Sequence, residues 1–313
     1  MSLRPTISVI IVSWNAKNYL HECLESLFAT ACAFPLEVFV VDNASSDGSP
    51  EFVAENYPQV NLIRNESNLG FSKANNIGIR SSTGTYICLV NSDVKFLEGC
   101  IGKLAEFMQA QPKAGIAGPR MLNSAGVVGR SCRGFPTLWN MLCNAIGLDL
   151  LFPHVRLFGG YVLRFWPQDS NRSVDILGGW FWIVRRSALS DVGLLDESFF
   201  FYAEDMDWCK RFKMKNWSVE FLADAASIHY GGGSSARAPL KYYIQQQRAD
   251  FQYWKKHHSK PARAVYFMIC LLHQSSRAIA HCVLSLFSEN KESHALVASR
   301  NWQCFLWCLK GAR

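Results

Sequence analysis

The first ninety residues alternate between two hydrophobic patterns. "ISVIIVSWN" (7–15) is a continuous, largely β-branched apolar run that turns polar at its end, the mark of a strand buried on both faces. "AKNYLHECLESLFAT" then sets Tyr19, Leu20, Cys23, Leu24, Leu27 and Phe28 at helical spacing. "LEVFVVDNAS" predicts a second buried strand, and "DGSPEFVAENY" a helix capped by Ser49 with Pro50 in its first turn. "VNLIRN", "GFSKANNIGIRSS" and "TYICLVNSD" continue as strand, helix and strand, the last stopping at Asp93. Strands alternating with helices predict an α/β domain with a mainly parallel sheet.

The rest of the chain is less regular. "LEGCIGKLAEFMQAQPKAGIAGPRML" predicts a helix and a strand, and residues 123–174 read as irregular, aromatic and basic. "VDILGGWFWIVRRSAL" predicts a strand after a double-glycine bend, running into a helix. "FFFYAEDMDWCKRF" (199–212) is a loop leading into a helix, and "VEFLADAASIHYGGGSSA" ends in a glycine-rich loop. Beyond residue 240 the pattern is helical, basic and aromatic.

Open α/β sheets bind ligands at the carboxyl ends of their strands, and polar residues collect there: Ser13-Trp14-Asn15, Asp42-Asn43 and Asn91-Ser92-Asp93. Asp42-Asn43 also reads as a turn signal before "ASSDGS". No G-x-G-x-x-G follows the first strand and no G-x-x-x-x-G-K-[ST] occurs, which disfavours a dehydrogenase or a P-loop NTPase. Glu204, Asp205 and Asp207 crowd behind Phe199–Tyr202. Acids in a helix's first turn complement its positive end, and Asp207 with Arg211 makes a favourable i,i+4 pair. A carboxylate at the lip of an apolar wall is also where a general base belongs, because desolvation raises its pKa.

Composition changes this picture in three ways. The 313 residues, 49% hydrophobic and 18% charged, suffice for one large domain or a domain with an appendage. The net charge of +7 is uneven: residues 234–313 hold 12 Lys+Arg against 3 Asp+Glu, a net of +9, whereas the first 233 residues carry −2. The 11 cysteines are scattered through apolar segments without a C-x-x-C pair, which predicts reduced, buried thiols. The opening "MSLRPTISVIIVSWN" lacks the long apolar region and cleavage site of a signal peptide, so a cytoplasmic protein is expected.

Seven blocks in order carry a family likeness: "SVIIVSWN", "VFVVDNASSDGS", "NLGFSKANNIGI", "YICLVNSDV", "ILGGWFWIVRR", "FFYAEDMDWCKR" and "HYGGGSS". Over roughly residues 6–235 the chain resembles the family-2 glycosyltransferases, especially their rhamnosyltransferase-like branch. The resemblance implies the GT-A fold, with a mainly parallel nucleotide-binding sheet, in a domain spanning 1–238. It also implies inverting transfer of a sugar, rhamnose or another hexose, from a dTDP- or UDP-sugar, usually with Mn²⁺ or Mg²⁺. The acceptor would be a saccharide or a polyprenyl-linked lipid in bacterial-type polysaccharide synthesis. The alternative is a non-catalytic nucleotide-sugar-binding or scaffold protein with the same fold.

Carried over residue by residue, the resemblance puts Asp42 at the nucleotide base and ribose, bordered by Ser13, Trp14, Asn15 and Asn43. Lys73 and Asn75 match positions that often face the nucleotide, where Lys73 could touch phosphate, although a solvated helical lysine is the default reading. "NSD" (Asn91, Ser92, Asp93) corresponds to the metal-binding D-x-D, with asparagine in place of the first acid. His229 matches a position near diphosphate and metal, and also reads as a hydrogen-bonded histidine at a strand end. Metal ligands are thus Asp93 and His229, the donor diphosphate supplying more oxygens. Asp205 matches the catalytic base of the "ED" pair, with Glu204 orienting the acceptor and Asp207 structural. Gly178, Gly179 and Trp180 are expected at the acceptor, with Trp182 and residues 199–202 forming an apolar wall against a sugar. Amides of Gly231-Gly232-Gly233 would help stabilise the leaving group.

The tail, 239–313, is expected to be a basic helical extension. Its apolar run 264–272 is too short to span a bilayer, and His273, Gln274, Arg277 and His281 interrupt the continuation. Two readings fit it: helices packed on the catalytic domain, or an anchor peripheral to the inner face of the cell membrane. No nucleic-acid-binding motif accompanies the charge.

Overall fold

A computed structural model describes residues 5–30, 32–231 and 238–310. The chain divides into two compact units, Met1–Arg133 with Gln168–Arg237, and Gly134–Pro167 with Ala238–Arg313.

The first unit opens with β1 (Ile7–Ser13), α1 (Lys17–Ala29), β2 (Leu36–Asp42), α2 (Ser49–Asn56), β3 (Asn61–Arg64), α3 (Phe71–Ser81) and β4 (Tyr86–Asn91). A short strand β5 (Val94–Phe96), α4 (Cys100–Ala110), β6 (Ala114–Leu122) and β7 (Cys132–Arg133) follow. After an excursion into the second unit through α5 (Leu138–Ala145), α6 (Leu148–Leu151) and α7 (Arg156–Gly159), the chain returns. It then adds β8 (Arg172–Ser173), β9 (Ile176–Leu177), β10 (Phe181–Arg185), α8 (Leu189–Val192), α9 (Glu204–Met214) and β11 (Ser218–His229).

The main sheet runs β3-β2-β1-β4-β10-β6-β11-β5, with β8 paired to β11. The first four strands are parallel, and β10 enters antiparallel between β4 and β6. Its core follows the expected strands: Val9, Ile11, Val40, Cys88 and Val90 pack with Leu20 and Leu24 of α1 and Leu104 of α4. Of the 11 cysteines, nine are buried and none is disulfide-bonded, as the scattered spacing predicts.

Three expectations need correction. Ser49 is the first helical residue of α2, not its cap; Gly48 precedes it at φ +78, and the Ser49 hydroxyl turns back to Asp47. Residues 123–174 are not wholly irregular. Thr137 accepts the Asn140 N–H at 3.2 Å while Asn140 returns the contact to the Thr137 N–H, and this capping box starts α5. The signal was hard to see because asparagine stands where glutamate or glutamine is usual. Finally, the helix that carries the apolar run 264–272 continues through the polar residues from His273 onward.

The second unit adds α10 (Pro239–His257), α11 (Lys260–Phe287) and α12 (Lys291–Leu309). Among the described residues α11 is a single unbroken helix of 28 residues, long and apolar enough by length and composition to cross a membrane. Its polar interruptions fall inside the helix, where Gln274 hydrogen-bonds Gln247 and Tyr243. Grouping of Gly134–Pro167 with these helices has no counterpart in the hydrophobic pattern, because the segments are far apart in sequence.

Candidate active site

Register brings the first polar residues together. Ser13 lies opposite Asp42 in the β1–β2 ladder and Val12 opposite Asn91 in β1–β4, so three strand ends share one edge. Asp42 is buried; its Oδ2 accepts the Ser45 N–H at 3.0 Å, and its Oδ1 has no partner. Ser13 Oγ, Ser72 Oγ and Asn75 Oδ1 are also buried and unpaired. Such atoms cost roughly 1–3 kcal/mol each unless a ligand or water engages them, and four of them gather at this edge and at the start of α3.

Asn43 ties the edge to α3. Its Nδ2 donates to Gly70 O at 3.2 Å and its Oδ1 accepts from Asn65 Nδ2 at 2.9 Å. Asn15, at φ +49, accepts the Ser46 N–H at 2.7 Å and donates its own N–H to Ser45 Oγ at 2.9 Å. Asn43 and Asn15 therefore shape the loops around Asp42. Trp14 is half-buried beside them, and Lys73 is exposed on α3.

The "NSD" turn joins β4 to β5. The Asn91 N–H donates to Trp180 O at 2.9 Å, which sets Gly178-Gly179-Trp180 against Asn91 and Ser92. The β5–β11 ladder pairs Val94 with His229, and the preceding residue, Asp93, puts Oδ1 3.1 Å from His229 Nε2. The indole of Trp180 stacks on the His229 ring, centroids 5.4 Å apart at 20°. One carboxylate and one imidazole therefore converge from residues 136 positions apart. No cluster of three or more His, Cys, Asp or Glu occurs among the described residues, so a cation here needs oxygens from a ligand or water. Gly231 is described, at φ +66, while Gly232 and Gly233 lie outside the described residues.

The acidic run opens α9. Tyr202 and Ala203 precede it at φ +73 and +64, two consecutive left-handed non-glycine residues, a conformation that costs energy and often marks a functional turn. Asp207 is fully buried and pairs with Arg211 at 2.8 Å; the same guanidinium donates to Val192 O and Leu194 O. That acid is structural, as expected.

Glu204 and Asp205 differ from it and from each other. Glu204 is buried with Oε2 unpaired, and its Oε1 lies 3.4 Å from where a Cβ on Gly179 would sit. Burial first, and the Asp205 charge second, push its carboxyl up to about 8. Asp205 accepts the Met206 N–H on Oδ1 at 2.8 Å and pairs through Oδ2 with Arg133. The two adjacent carboxyls thus have separate environments: Glu204 keeps a buried, unpaired oxygen, whereas Asp205 is held by Arg133 and the Met206 N–H.

Arg133 escaped the sequence reading. It lies in β7, whose ladder with β9 pairs Arg133 with Ile176 and Cys132 with Leu177, and Gly178 N–H donates to Ser131 O at 2.7 Å. Its partner is 72 residues away, so nothing local marks it. The aromatic wall is also smaller than expected. Trp182 is fully buried against Trp208, 5.5 Å between centroids, and Trp180 and Phe199 are also buried, leaving Phe201 and Tyr202 partly accessible and Phe200 exposed.

Comparison with known proteins agrees with this geometry. A model of the family described as "Glycosyl transferase family 2" matches residues 8–161. The chain is 27% identical over 277 residues to N-acetylglucosaminyl-diphospho-decaprenol L-rhamnosyltransferase of Mycobacterium tuberculosis, covering 81% of this chain and 85% of the relative. It is 26% identical over 243 residues to the low-salt glycan biosynthesis hexosyltransferase Agl10 of Haloferax volcanii, covering 76% and 71%. Among solved structures, a mannosyltransferase from Pyrobaculum calidifontis, in complex with GDP-Man and Mn²⁺, superposes with a TM-score of 0.61 at 17% identity. That match covers 98% of this chain and 88% of the other. The strand ends and the "NSD" turn fall within the matched residues, and the chain is a glycosyltransferase of GT-A fold similar to the family-2 enzymes, the rhamnosyltransferase-like branch in particular.

Proposed function

We propose that this glycosyltransferase moves a hexose, rhamnose in first place, from a dTDP- or UDP-sugar to a saccharide or polyprenyl-linked acceptor, with inversion. The observation that carries the reading is the split pair at α9: Asp205 against Arg133, beside a buried Glu204 that holds its proton up to about pH 8. Asp205 takes the proton from the acceptor hydroxyl, whose oxygen forms the new bond to the anomeric carbon. The bond from that carbon to the nucleoside diphosphate breaks, and the diphosphate leaves with the electron pair. Glu204, uncharged, donates a hydrogen bond to the acceptor or the sugar without competing as a base.

The unpaired Asp42 Oδ1 supports contact with a pyrimidine N–H or a ribose hydroxyl, and the unpaired Ser13, Ser72 and Asn75 oxygens add acceptors beside it. Asp93 and His229 would hold a divalent cation, which when bound would neutralise charge on the diphosphate. Trp180 keeps the His229 ring oriented by stacking. The name of the mycobacterial relative supports rhamnose and a lipid-linked acceptor. A cytoplasmic enzyme acting on such an acceptor would work at the inner face of the cell membrane.

A panel of nucleotide-sugars, scored by thermal stabilisation with and without Mn²⁺, tests the donor. A true donor at a hundred times its dissociation constant stabilises by about 2.7 kcal/mol. Stabilisation by dTDP-rhamnose or a UDP-hexose, followed by transfer, is expected; no response to any nucleotide-sugar would overturn the proposal.

A further inference from the structure

Most of the exposed large apolar side chains lie in the second unit. Of the 25 exposed large apolar side chains among the described residues, 19 lie in it, although it holds about a third of the chain. Scattered exposed apolar residues need no explanation, but a contiguous, ordered set does.

Helix α11 carries such a set. Val265, Met268, Leu272, Ile279, Val283 and Leu286 are all exposed, at spacings of three, four, seven, four and three, which is one stripe down one helix face. Met268 and Ile279 are 62% and 64% exposed. The stripe runs about 32 Å, at 1.5 Å per residue. The opposite face is already used: Tyr266, Ile269, Cys270, Gln274 and Ala278 are buried. Ser276 Oγ donates to Ala145 O at 3.2 Å, tying α11 to α5. A helix with one buried apolar face and a second exposed one is not explained by the packing of its own unit. Residues 146–157 add a second exposed cluster in the same unit, led by Leu151 and Leu157.

Charge selects the occupant. The second unit holds 13 Lys+Arg against 4 Asp+Glu, a net of +9, and no acid occurs between Asp250 and Glu289. Lys255, Lys256 and Lys260 are exposed where α10 gives way to α11. We infer that the α11 stripe is a lipid-docking face, lying in the plane of an anionic bilayer with its apolar side chains among the acyl chains and these lysines at the headgroups. A protein partner of acidic surface would satisfy the lysines but not the apolar stripe. A second copy would bring one +9 unit against another. A crossing orientation fits poorly, because the Gln247–Gln274–Tyr243–Asn301 hydrogen-bond network and Ser276 hold the inner face of α11 to its neighbours. The proposed lipid-linked acceptor supplies a purpose for this surface but none of its evidence.

The test is sedimentation of the intact protein with vesicles of phosphatidylcholine, with and without phosphatidylglycerol, and with no acceptor present. The wild type should bind the anionic vesicles, weaken as salt rises, and be released by alkaline carbonate. Met268→Glu/Ile279→Glu/Val283→Glu changes exposed positions only. It should weaken vesicle binding by roughly tenfold or more while leaving melting temperature and nucleotide-sugar binding unchanged. Lys255→Glu/Lys260→Glu should weaken only the anionic-vesicle binding, by about fivefold per charge removed. Wild-type protein that ignores vesicles, a triple variant that binds as well as wild type, or binding that resists carbonate would each overturn the inference. So would a wild-type dimer that the triple variant converts to monomer without any change in vesicle binding. Failure of the donor panel alongside normal vesicle binding would sink the proposed reaction and leave this surface standing.

Discussion

Replacing Asp205 with asparagine isolates the proton-accepting role from everything else the residue does. The shape is kept, and the contact from the Met206 N–H to Oδ1, 2.8 Å in the wild type, can be kept by the amide oxygen. What is lost is the pair with Arg133, whose side chain is 28% exposed against 9% for Asp205. A pair that enclosed is worth more than an exposed one, yet Arg133 retains access to water, so the stability cost is about 1–2 kcal/mol. For a domain of this size that is a fall in melting temperature of roughly 2–8 °C. The transfer step should suffer far more: loss of a general base costs about 10²–10⁴ in rate, or roughly 3–5 kcal/mol in the barrier. Initial rates at saturating donor, measured well below the melting temperature, separate the two effects, and calorimetric titration with the nucleotide-sugar should show near-unchanged affinity. Glu204→Gln, which keeps a hydrogen-bonding amide where a protonated carboxyl sits, should stay within about tenfold of wild type at neutral pH. Near-normal transfer by Asp205→Asn would refute the assignment, and collapse of Glu204→Gln in the same assay would move the base to Glu204.

Four further outcomes are expected. Arg133→Met removes the cation paired with Asp205, so transfer should slow while nucleotide-sugar affinity stays near that of wild type; an unchanged transfer rate would reduce Arg133 to a structural role. The Glu204 carboxyl is raised from 4.5 to about 8, so the stability it contributes is complete below about pH 4.5 and is lost as pH rises through about 8. Melting curves of Glu204→Gln should therefore gain on wild type across that window, and parallel curves would count against the raised carboxyl. Asp93→Ala and His229→Ala should each weaken donor binding and abolish any Mn²⁺-dependent stabilisation; full activity in excess chelator would dismiss the cation. Gly70→Ala should destabilise by about 2 kcal/mol or more, because φ is +80 and the new Cβ would lie 2.5 Å from Phe200 O; an unchanged melting temperature would show that the 199–202 loop gives way.

The parallel half of the sheet was legible because a strand buried on both faces writes itself as an unbroken apolar run. Each run here ends in polar residues that have no place in a core. Helix-linked strands lie parallel, so the polar ends carrying Ser13, Asp42 and Asn91 belong on one edge by sequence alone, and the register bears this out. The structural part of Asp207 was legible too, since its partner Arg211 is one helical turn away. Everything that crosses a long sequence gap was not. Arg133 reaches Asp205 through the two-residue ladder of β7 and β9, too short to leave a periodic signal. Trp182 and Trp180 stand two residues apart with the same composition around them. Only packing sends one under Trp208 and the other onto His229. The same holds for α11: its sequence shows an apolar helix with polar interruptions. Which face is buried, and that a second apolar stripe remains exposed, is decided by the neighbours α5 and α12 that it meets only after folding. Local pattern records what each segment can bury; tertiary contact decides what it does bury, and buried charge, unpaired oxygens and exposed apolar stripes exist only at that second level.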